Sequence, residues 1–423
     1  MTTEVAILNR RAVALAADSA FTVGRAKVNT GNKLFSMSPA SDIGVMFFGS
    51  ADFLGVPWEV LIKTYRQELG DRCSSTVRDC CENFIKYITK DDFVTEFFES
   101  LSFKIIITDA LEMIERRIPK DTIPAKRDAV AKRIITKTNK SIRENIEEFE
   151  TSISLKDYRE NFLDDSFDLA KDILKVEFKG RPTYEKALSS FIYAVLKRKI
   201  ESDYSSGIVF AGYGKSQIFP ELVCYVVDGK FGDAFRVWED KENSANLNDG
   251  ETNAQVIPFA QTDMSRIFME GMAPNHKQFL FNTMNKVLDE KSKELVAKYV
   301  ADADERVVET ELQKRDNVEI IKGFSKAFKG YIEESMVDPV MGVISTLPKE
   351  ELAAMAEALV EITSLRRKVD STLATVGGPT DVALISKGDG LIWIKRKHYF
   401  ESELNQDFLS RKQARQGGLH EVK

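Results

Sequence analysis

A helical stretch of more than a hundred residues separates two sets of strand-like segments, and this order constrains the fold more than any other feature of the chain. From about residue 76 to residue 200, apolar residues recur with helical spacing among many Lys, Arg, Glu and Asp residues. Strand-like runs precede this stretch, and others return at 207–213 and 222–227. With 43% hydrophobic residues, the 423 positions suffice for a large buried core. We therefore predict a strand-containing core that is interrupted by a helical insertion.

The strand-like segments are short and are bounded by turn residues. Besides the two runs above, they comprise 5–8, 12–17, 43–48, 381–386 and 391–394. The last two flank Gly388, Asp389 and Gly390, which predicts a closing hairpin. Asp228 and Gly229 likewise predict a turn directly after 222–227.

Amphipathic helices are predicted on both sides of the insertion. They comprise 57–69, 265–272, 277–289, a charged run to about residue 329, and 350–369. The apolar faces are assigned to Val60, Leu61, Tyr65 and Leu69 in the first helix and to Leu352, Met355, Leu359 and Ile362 in the last. Because strands and helices are segregated along the chain, the pattern indicates the α+β class rather than alternating parallel units.

The predicted organisation is a discontinuous core at 1–75 and 205–400 with the helical insertion at 76–204. Additional helices are assigned to 290–345 and a polar tail to 408–423. No run approaches the roughly 20 apolar residues of a transmembrane helix. The apolar run at 12–17 is too short for a signal peptide and ends at Asp18. We therefore expect a cytoplasmic protein without a membrane partner.

The charge and the metal-binding residue types disfavour several classes of function. A formal net charge of -6 gives no electrostatic reason to expect nucleic acid as a partner. The cysteines lack paired metal-ligand spacing, and no histidine lies three or four residues from another candidate ligand. These residues are Cys73, Cys80, Cys81, Cys224, His276, His398 and His420. We expect no metal and no cofactor, and a Ser/His/Asp triad is disfavoured.

Thr2 follows the initiator Met1, which is ordinarily removed when the second side chain is small. Removal would expose an α-amine beside the threonine hydroxyl. Such an amine has a pKa of about 7.7–8.0, so near neutral pH part of it is unprotonated and can take the hydroxyl proton. One residue can thus supply both nucleophile and base. Taken alone, Thr2 is better explained as a permissive second residue, and the catalytic interpretation depends on support from other segments.

Three further segments make the chain resemble the proteasome β-subunit family and its bacterial relatives. In that family the mature chain begins Thr-Thr, an Ala-Ala-Asp-Ser motif follows sixteen residues later, and a lysine precedes an aliphatic strand. The corresponding segments here are Thr2-Thr3, Ala16-Ala17-Asp18-Ser19 and Asn32-Lys33-Leu34-Phe35. The segment 44–52, GVMFFGSAD, is similar to the family's Gly-rich strand end. The resemblance covers mainly 1–70, 205–285 and 350–398.

The resemblance implies a four-layer αββα sandwich of two antiparallel sheets between helices, with a large helical insertion. It implies a catalytic triad of Thr2, Lys33 and Asp18, in which the lysine ammonium favours the developing alkoxide charge and the aspartate holds the lysine. A backbone N–H of Phe48 or Gly49 would serve as the oxyanion donor. Auxiliary polar groups are assigned to Ser19, Thr262 and Asp370.

Three of these residues also have a purely structural interpretation. Asp18 can cap a turn, Lys33 can be a solvated charge at a strand end, and Phe48 can be a core aromatic residue. Position 262 also departs from the family pattern, because Ala260-Gln261-Thr262 stands where the family has Gly-Ser-Gly.

The function implied by the resemblance is cleavage of peptide bonds in a peptide or protein substrate through an acyl-enzyme on Thr2. A homo-oligomer is expected, and the resemblance leaves room for an unfoldase partner. One alternative is a small-molecule amidase or acylase on the same fold. The other is a non-catalytic, proteasome-like scaffold subunit that uses its charged helices as an interaction surface.

Overall fold

The computed structural model describes residues 3–410 except 24–25, 29–30, 39, 91–94, 153, 177–180, 232–233, 371–377, 399 and 408–409. The strands are β1 (Thr3–Asn9), β2 (Ala12–Ala17), β3 (Phe21–Val23), β4 (Ala26–Val28), β5 (Leu34–Ser36), β6 (Asp42–Gly49), β7 (Asp52–Phe53), β8 (Val56–Pro57), β9 (Ser206–Tyr213), β10 (Glu221–Phe231), β11 (Ala234–Glu239), β12 (Ala245–Asn246), β13 (Ala254–Ala260), β14 (Asp381–Ser386) and β15 (Gly390–Lys395).

The helices alternate with these strands in blocks. They are α1 (Trp58–Leu69), α2 (Val77–Ile88), α3 (Glu96–Glu115), α4 (Pro124–Asn145), α5 (Leu155–Asn161), α6 (Leu163–Leu174), α7 (Arg181–Lys197), α8 (Asp263–Glu270), α9 (Pro274–Tyr299), α10 (Ala303–Ile332), α11 (Asp338–Ile344) and α12 (Lys349–Asp370). A π-helical segment, Glu333–Val337, joins α10 to α11.

Two antiparallel sheets carry most of the strands. One has five strands in the order β13-β1-β2-β14-β15, and the other has β11-β10-β9-β6-β5 with β12 paired to β10. β1 and β15, from opposite ends of the described chain, thus share one sheet, and β6 and β9, the strands of the other sheet that flank the helical insertion in sequence, pair with each other. The prediction of mixed helices and antiparallel strands is confirmed.

Successive side chains of β1 and β2 belong to two different apolar clusters, one on each face of the sheet. Ala6 and Leu8 pack against side chains of the six-stranded sheet, such as Val209. Val5 and Ile7 pack on the opposite face against α12. Because successive side chains of a strand point to opposite faces, each strand of this sheet contributes to both clusters. The other face of the six-stranded sheet packs against α1 and α2 through a third cluster.

The helices α3 to α7 share a cluster of their own. Its members include Ile107, Ile135 and Phe191, and it reaches the six-stranded sheet at Phe231 and Ala234. The helical character predicted for 76–204 is therefore confirmed, while the proposed domain boundaries remain a prediction.

The helices α9 and α10 pair as a hairpin that leaves many apolar side chains exposed. Ser292, Val296 and Asn317 are buried between the two helices. By contrast Phe279 and Tyr299 are 71% and 73% exposed. Two helices alone cannot cover such side chains, and exposed apolar patches of this kind commonly mark interaction surfaces.

Several local predictions require correction. The prediction of a turn at Asp228-Gly229 is wrong, because β10 continues to Phe231. The pairing of β10 with β11 instead has a bulge between Val227 and Gly229. The buried-face assignments of Val60 and Ile362 are also wrong, since they are 51% and 47% exposed. The closing hairpin of β14 and β15 is confirmed. Within the described part of the chain, no helix combines the length and apolar content that crossing a bilayer requires.

Candidate functional site

Lys33 lies at the centre of a buried group of charges, here called the Lys33 cluster, with Asp18 and Glu4. The ammonium nitrogen Nζ is 2.5 Å from Asp18 Oδ1 and 2.9 Å from Glu4 Oε1. All three side chains are at most 1% exposed. Burying charges is costly unless they are paired and hydrogen-bonded, so this geometry accounts for how the lysine is tolerated. The interpretation of Lys33 as a solvated charge at a strand end is wrong.

The two sheets bring the cluster together. Glu4 belongs to β1 and Asp18 directly follows β2, both in the five-stranded sheet, whereas Lys33 directly precedes β5 of the six-stranded sheet. The Phe47 N–H donates to the Lys33 carbonyl over 3.1 Å and fixes the lysine backbone beside β6. Glu4 shares the face of β1 that carries Ala6 and Leu8, so alternation directs it between the sheets.

Asp18 also holds the first described residue of the chain. The Thr3 N–H donates to Asp18 Oδ1 over 3.1 Å, and the Asp18 N–H donates back to the Thr3 carbonyl over 3.0 Å. The same carboxylate oxygen therefore contacts both Lys33 and the residue that follows Thr2. Thr2 itself lies outside the described residues.

The hydrogen-bonding capacity of Lys33 is only partly used. An ammonium group has three N–H donors. Within the described residues, two acceptors are present, one oxygen each from Asp18 and Glu4. One donor therefore remains for a group beyond the described part of the chain or for a substrate.

The end of β6 carries the two candidate oxyanion donors. Because the N–H groups of Phe47 and Ser50 donate to the Lys33 and Ser205 carbonyls, alternation along the strand directs the Phe48 N–H towards β9 and the Gly49 N–H towards the Lys33 side. Gly49 has φ +85°, and a Cβ there would lie 2.4 Å from the Ser205 carbonyl oxygen. Glycine is therefore required at this bend, and its N–H is the better oriented of the two.

The three residues assigned as auxiliary polar groups, Ser19, Thr262 and Asp370, lie in different parts of the fold. The Ser19 hydroxyl is buried and donates to the Pro379 carbonyl. Thr262 directly precedes α8 and makes no capping hydrogen bond with its side chain. Asp370 ends α12, and its side chain lies outside the described residues. Of the three, Ser19 is the one adjacent in sequence to a member of the cluster, Asp18.

An open cavity of about 1100 Å³ lies beside β13 and α8. Phe48, Ala260 and Thr262 form part of its wall. Ala260 pairs directly with Thr3 across the β1–β13 ladder, so the cavity reaches the strand end that carries the start of the chain. Phe48 stacks on Phe259 with ring centroids 5.1 Å apart, which gives the cavity an aromatic wall.

Three of the four cysteines are buried in environments that disfavour a nucleophilic role. Burial raises the pKa of the Cys80 thiol to about 11 and raises the pKa of Cys81 and Cys224 well above the usual value. A thiol nucleophile acts as the thiolate, which these environments disfavour at neutral pH. Among the described residues, no group of three or more His, Cys, Asp and Glu side chains is arranged to hold a metal ion.

Sequence reasoning missed Glu4 as a member of the cluster. The signal was a single acidic residue in an otherwise apolar strand, Thr3–Asn9, every residue of which is buried. A buried acid at such a position requires a partner. Nothing in the local pattern identified Lys33 as that partner.

No protein-family model and no curated protein sequence matches the chain. Among solved structures, the chain is similar to Anbu from Hyphomicrobium sp. strain MC1, with 9% identity, a TM-score of 0.27, and coverage of 100% of this chain and 98% of that one. It is also similar to Anbu, an ancestral beta-subunit, from Yersinia bercovieri and to the helical assembly of the Anbu complex from Pseudomonas aeruginosa. Each of these has 9% identity, a TM-score of 0.28, and coverage of 100% of this chain and 97% of the other. TM-scores this low carry no inference about fold or function.

Proposed function

We propose that this chain is an N-terminal threonine hydrolase of the proteasome β-subunit type, with a four-layer αββα core and Thr2 as its nucleophile after removal of Met1. The observation that carries this proposal is the Lys33 cluster, in which one Asp18 oxygen contacts both Lys33 Nζ and the Thr3 N–H. That arrangement ties a buried ammonium group to the start of the chain.

The position of Glu4 supports the same assignment. Glu4 shares a face of β1 with Ala6, on the side of Lys33. In the proposed reaction, the Lys33 N–H that has no acceptor among the described residues donates to the Thr2 hydroxyl.

The proposed reaction is amide hydrolysis in two steps. The Thr2 Oγ attacks the substrate carbonyl while the α-amine accepts the hydroxyl proton, and Lys33 stabilises the negative charge that develops on Oγ. The Gly49 N–H stabilises the oxyanion. The C–N bond then breaks, the proton passes to the leaving amine, and an ester on Thr2 remains. Water attacks that ester with the same α-amine as base and regenerates the hydroxyl.

Peptide bonds are the proposed substrate, and no cofactor enters the reaction. A homo-oligomer is also proposed, supported by the exposed apolar side chains of the α9–α10 hairpin. An unfoldase partner would then serve to deliver folded substrates. A cytoplasmic location is proposed with the same function.

The test is intact mass spectrometry before and after treatment with a threonine-directed peptide epoxyketone. The expected result is a chain that lacks Met1 and gains one adduct, with no adduct on the Thr2→Ala variant. Thr3→Val is the matched control, because it changes the neighbouring hydroxyl and is expected to keep the adduct.

Retention of Met1 would overturn the mechanism and favour the scaffold alternative. An adduct on both Thr2→Ala and the unchanged chain would also contradict it. Cleavage of unfolded casein by the unchanged chain separates a peptidase from a small-molecule amidase.

A further inference from the structure

Residues 202–205, here called the return segment, join the end of the helical insertion to β9. Three successive residues of this segment each donate a hydrogen bond to a carboxylate, and the carboxylates come from β10, α3 and β7. The pairs are Ser202 with Asp228, Asp203 with Asp109, and Tyr204 with Asp52. Hydrogen bonds to charged acceptors are stronger than neutral ones. Three different elements therefore fix the position of the return segment.

The return segment in turn holds the end of β6. The Ser50 N–H donates to the Ser205 carbonyl over 3.0 Å, and the Ser206 hydroxyl donates to the Ser50 carbonyl over 3.2 Å. Gly49 pairs with Ser206, and a Cβ at Gly49 would lie 2.4 Å from the Ser205 carbonyl oxygen. Because the two backbones are in such close contact, a shift of Ser205 also shifts Gly49.

Asp109 links this strand end to the helical insertion. Its helix, α3, contributes Ile107 to the apolar cluster that α3 to α7 share. The same helix packs closely on β10, since a Cβ at Gly229 would lie 2.0 Å from Ser102 Oγ. The Asp203 N–H donates to Asp109 Oδ2 over 2.8 Å. The position of α3 is thus transmitted through Asp109 to the return segment.

The surroundings of Asp109 otherwise disfavour its negative charge. Burial raises the pKa of Asp109, the hydrogen bond from the Asp203 N–H lowers it, and the negative charges of Asp203, Glu112 and Asp228 raise it again. A hydrogen bond to the charged form of a group favours that form. The contact with the return segment is therefore what favours an ionised carboxylate at this position.

We propose that Asp109 is a positioning residue for the Gly49 oxyanion donor, so that the helical insertion sets the reactivity of the site. Asp109 acts through the Asp203 N–H and the Ser205 carbonyl. The inference rests on the proposed function, which assigns the Gly49 N–H to the oxyanion.

The experiment compares two reagents on the full-length chain and on Asp109→Ala. A peptide epoxyketone reacts by addition of Thr2 Oγ to its ketone, which places negative charge on the ketone oxygen. A peptide vinyl sulfone reacts by addition of Oγ to its C=C bond, so no carbonyl oxyanion forms. Misplacement of a reacting group by about 1 Å costs about 100-fold in rate, and the smaller shift expected here should slow the epoxyketone reaction about tenfold. Time-resolved intact mass should show less than about a twofold change for the vinyl sulfone.

Asp109→Asn is the conservative variant, because it keeps an acceptor oxygen for the Asp203 N–H. It should restore the epoxyketone rate to within about threefold of the unchanged chain. Glu112→Ala is the matched control, since it removes a carboxylate that pairs with Arg116 about one turn further along α3. It should leave both rates unchanged. Tyr204→Phe releases the same segment from Asp52 and should also slow the epoxyketone selectively.

Equal slowing with both reagents in folded Asp109→Ala would overturn the proposal, because a general loss of structure would then explain the effect. A selective loss that Asp109→Asn does not restore would also contradict the proposed hydrogen bond. If Tyr204→Phe slows the epoxyketone and Asp109→Ala does not, the return segment acts without the insertion and the proposal fails.

Hydrogen–deuterium exchange followed by mass spectrometry separates these results from failure of the proposed function. The Ser50 amide donates to the Ser205 carbonyl, so Asp109→Ala should speed its exchange about fivefold, as for loss of one net hydrogen bond. Glu112→Ala should not. If the unchanged chain forms an adduct with neither reagent, the proposed function fails, and faster exchange at Ser50 still supports Asp109 as the residue that positions this strand end. Unchanged exchange in Asp109→Ala would overturn the positioning role in either case.

Discussion

Lys33 and Arg236 are both basic side chains that are almost fully buried, but they differ in their hydrogen-bond partners. Arg236 is 0% exposed, and its Nε lies 2.9 Å from Asp228 Oδ2. Its remaining guanidinium N–H groups donate to backbone carbonyls where the helical insertion returns to the core. These carbonyls belong to Val195, Leu196, Arg198 and Ile200.

The two sites differ in how many of their N–H donors have an acceptor. A guanidinium group has five N–H donors, and Arg236 has five acceptors. The Lys33 cluster supplies two acceptors for three donors within the described residues. Arg236 is therefore fully committed to holding α7 against the six-stranded sheet, whereas Lys33 keeps capacity for another group.

Burial alone thus does not distinguish a structural charge from a candidate catalytic one. Burial lowers the pKa of Arg236, and the adjacent Asp228 opposes this effect. An arginine in this setting remains charged and fixed. What distinguishes the Lys33 cluster is its contact with Thr3 and the Lys33 N–H that has no acceptor among the described residues.

Replacing Lys33 should have the largest effect on chemistry. Lys33→Met removes the group proposed to stabilise the Thr2 alkoxide, so the rate of epoxyketone adduct formation should fall by about 10,000-fold, as for loss of a residue that activates a nucleophile. Time-resolved intact mass measures this rate. Lys63→Met, at an exposed residue of α1, is the control and should react at the unchanged rate. A normal rate in folded Lys33→Met would remove the lysine from the mechanism.

Replacing Arg236 should have the largest effect on folding stability. Arg236→Met leaves the Asp228 carboxylate buried without its cationic partner, which should lower the free energy of unfolding by about 3–5 kcal/mol. Urea unfolding followed by circular dichroism measures this loss. Arg133→Met, at an exposed position of α4, should change it by less than about 0.5 kcal/mol.

The Arg236→Met variant also tests whether Arg236 affects reactivity as well as folding stability. The folded fraction of Arg236→Met should still form the Thr2 adduct at the normal rate. A selective loss of reactivity in fully folded Arg236→Met would contradict the division between the two sites.

Replacing Glu4 should have the smallest effect. Glu4→Gln keeps the shape of the side chain and an acceptor for Lys33 but removes one negative charge, so the free energy of unfolding should fall by about 1–3 kcal/mol. Adduct formation should slow by about tenfold, because Lys33 is less firmly held. Glu59→Gln, which breaks the exposed pair with Lys63, should cost less than about 1 kcal/mol. Equal losses in the two variants would show that burial of Glu4 adds nothing.

Local patterns in the sequence determined much of the core. The apolar runs of β1, β2 and β9 and the Gly388-Asp389-Gly390 turn each depend on residues close together in the chain, and all were predicted correctly. Asp18 and Lys33 were also identified from the sequence, through their family spacing. Their contact now gives that prediction a geometric basis, while their catalytic role remains a proposal.

Only the tertiary structure decided the partners of the buried charges. Asp228 was predicted in a turn, but the bulge in β10 directs its carboxylate to Arg236 and Ser202. Glu4 pairs with Lys33 across two different sheets, and the cavity combines residues from 201 to 270 with others from 333 to 345. Local periodicity reports which face of an element is buried. It carries no information about which distant element supplies the matching charge, because that depends on how the two sheets and their helices pack.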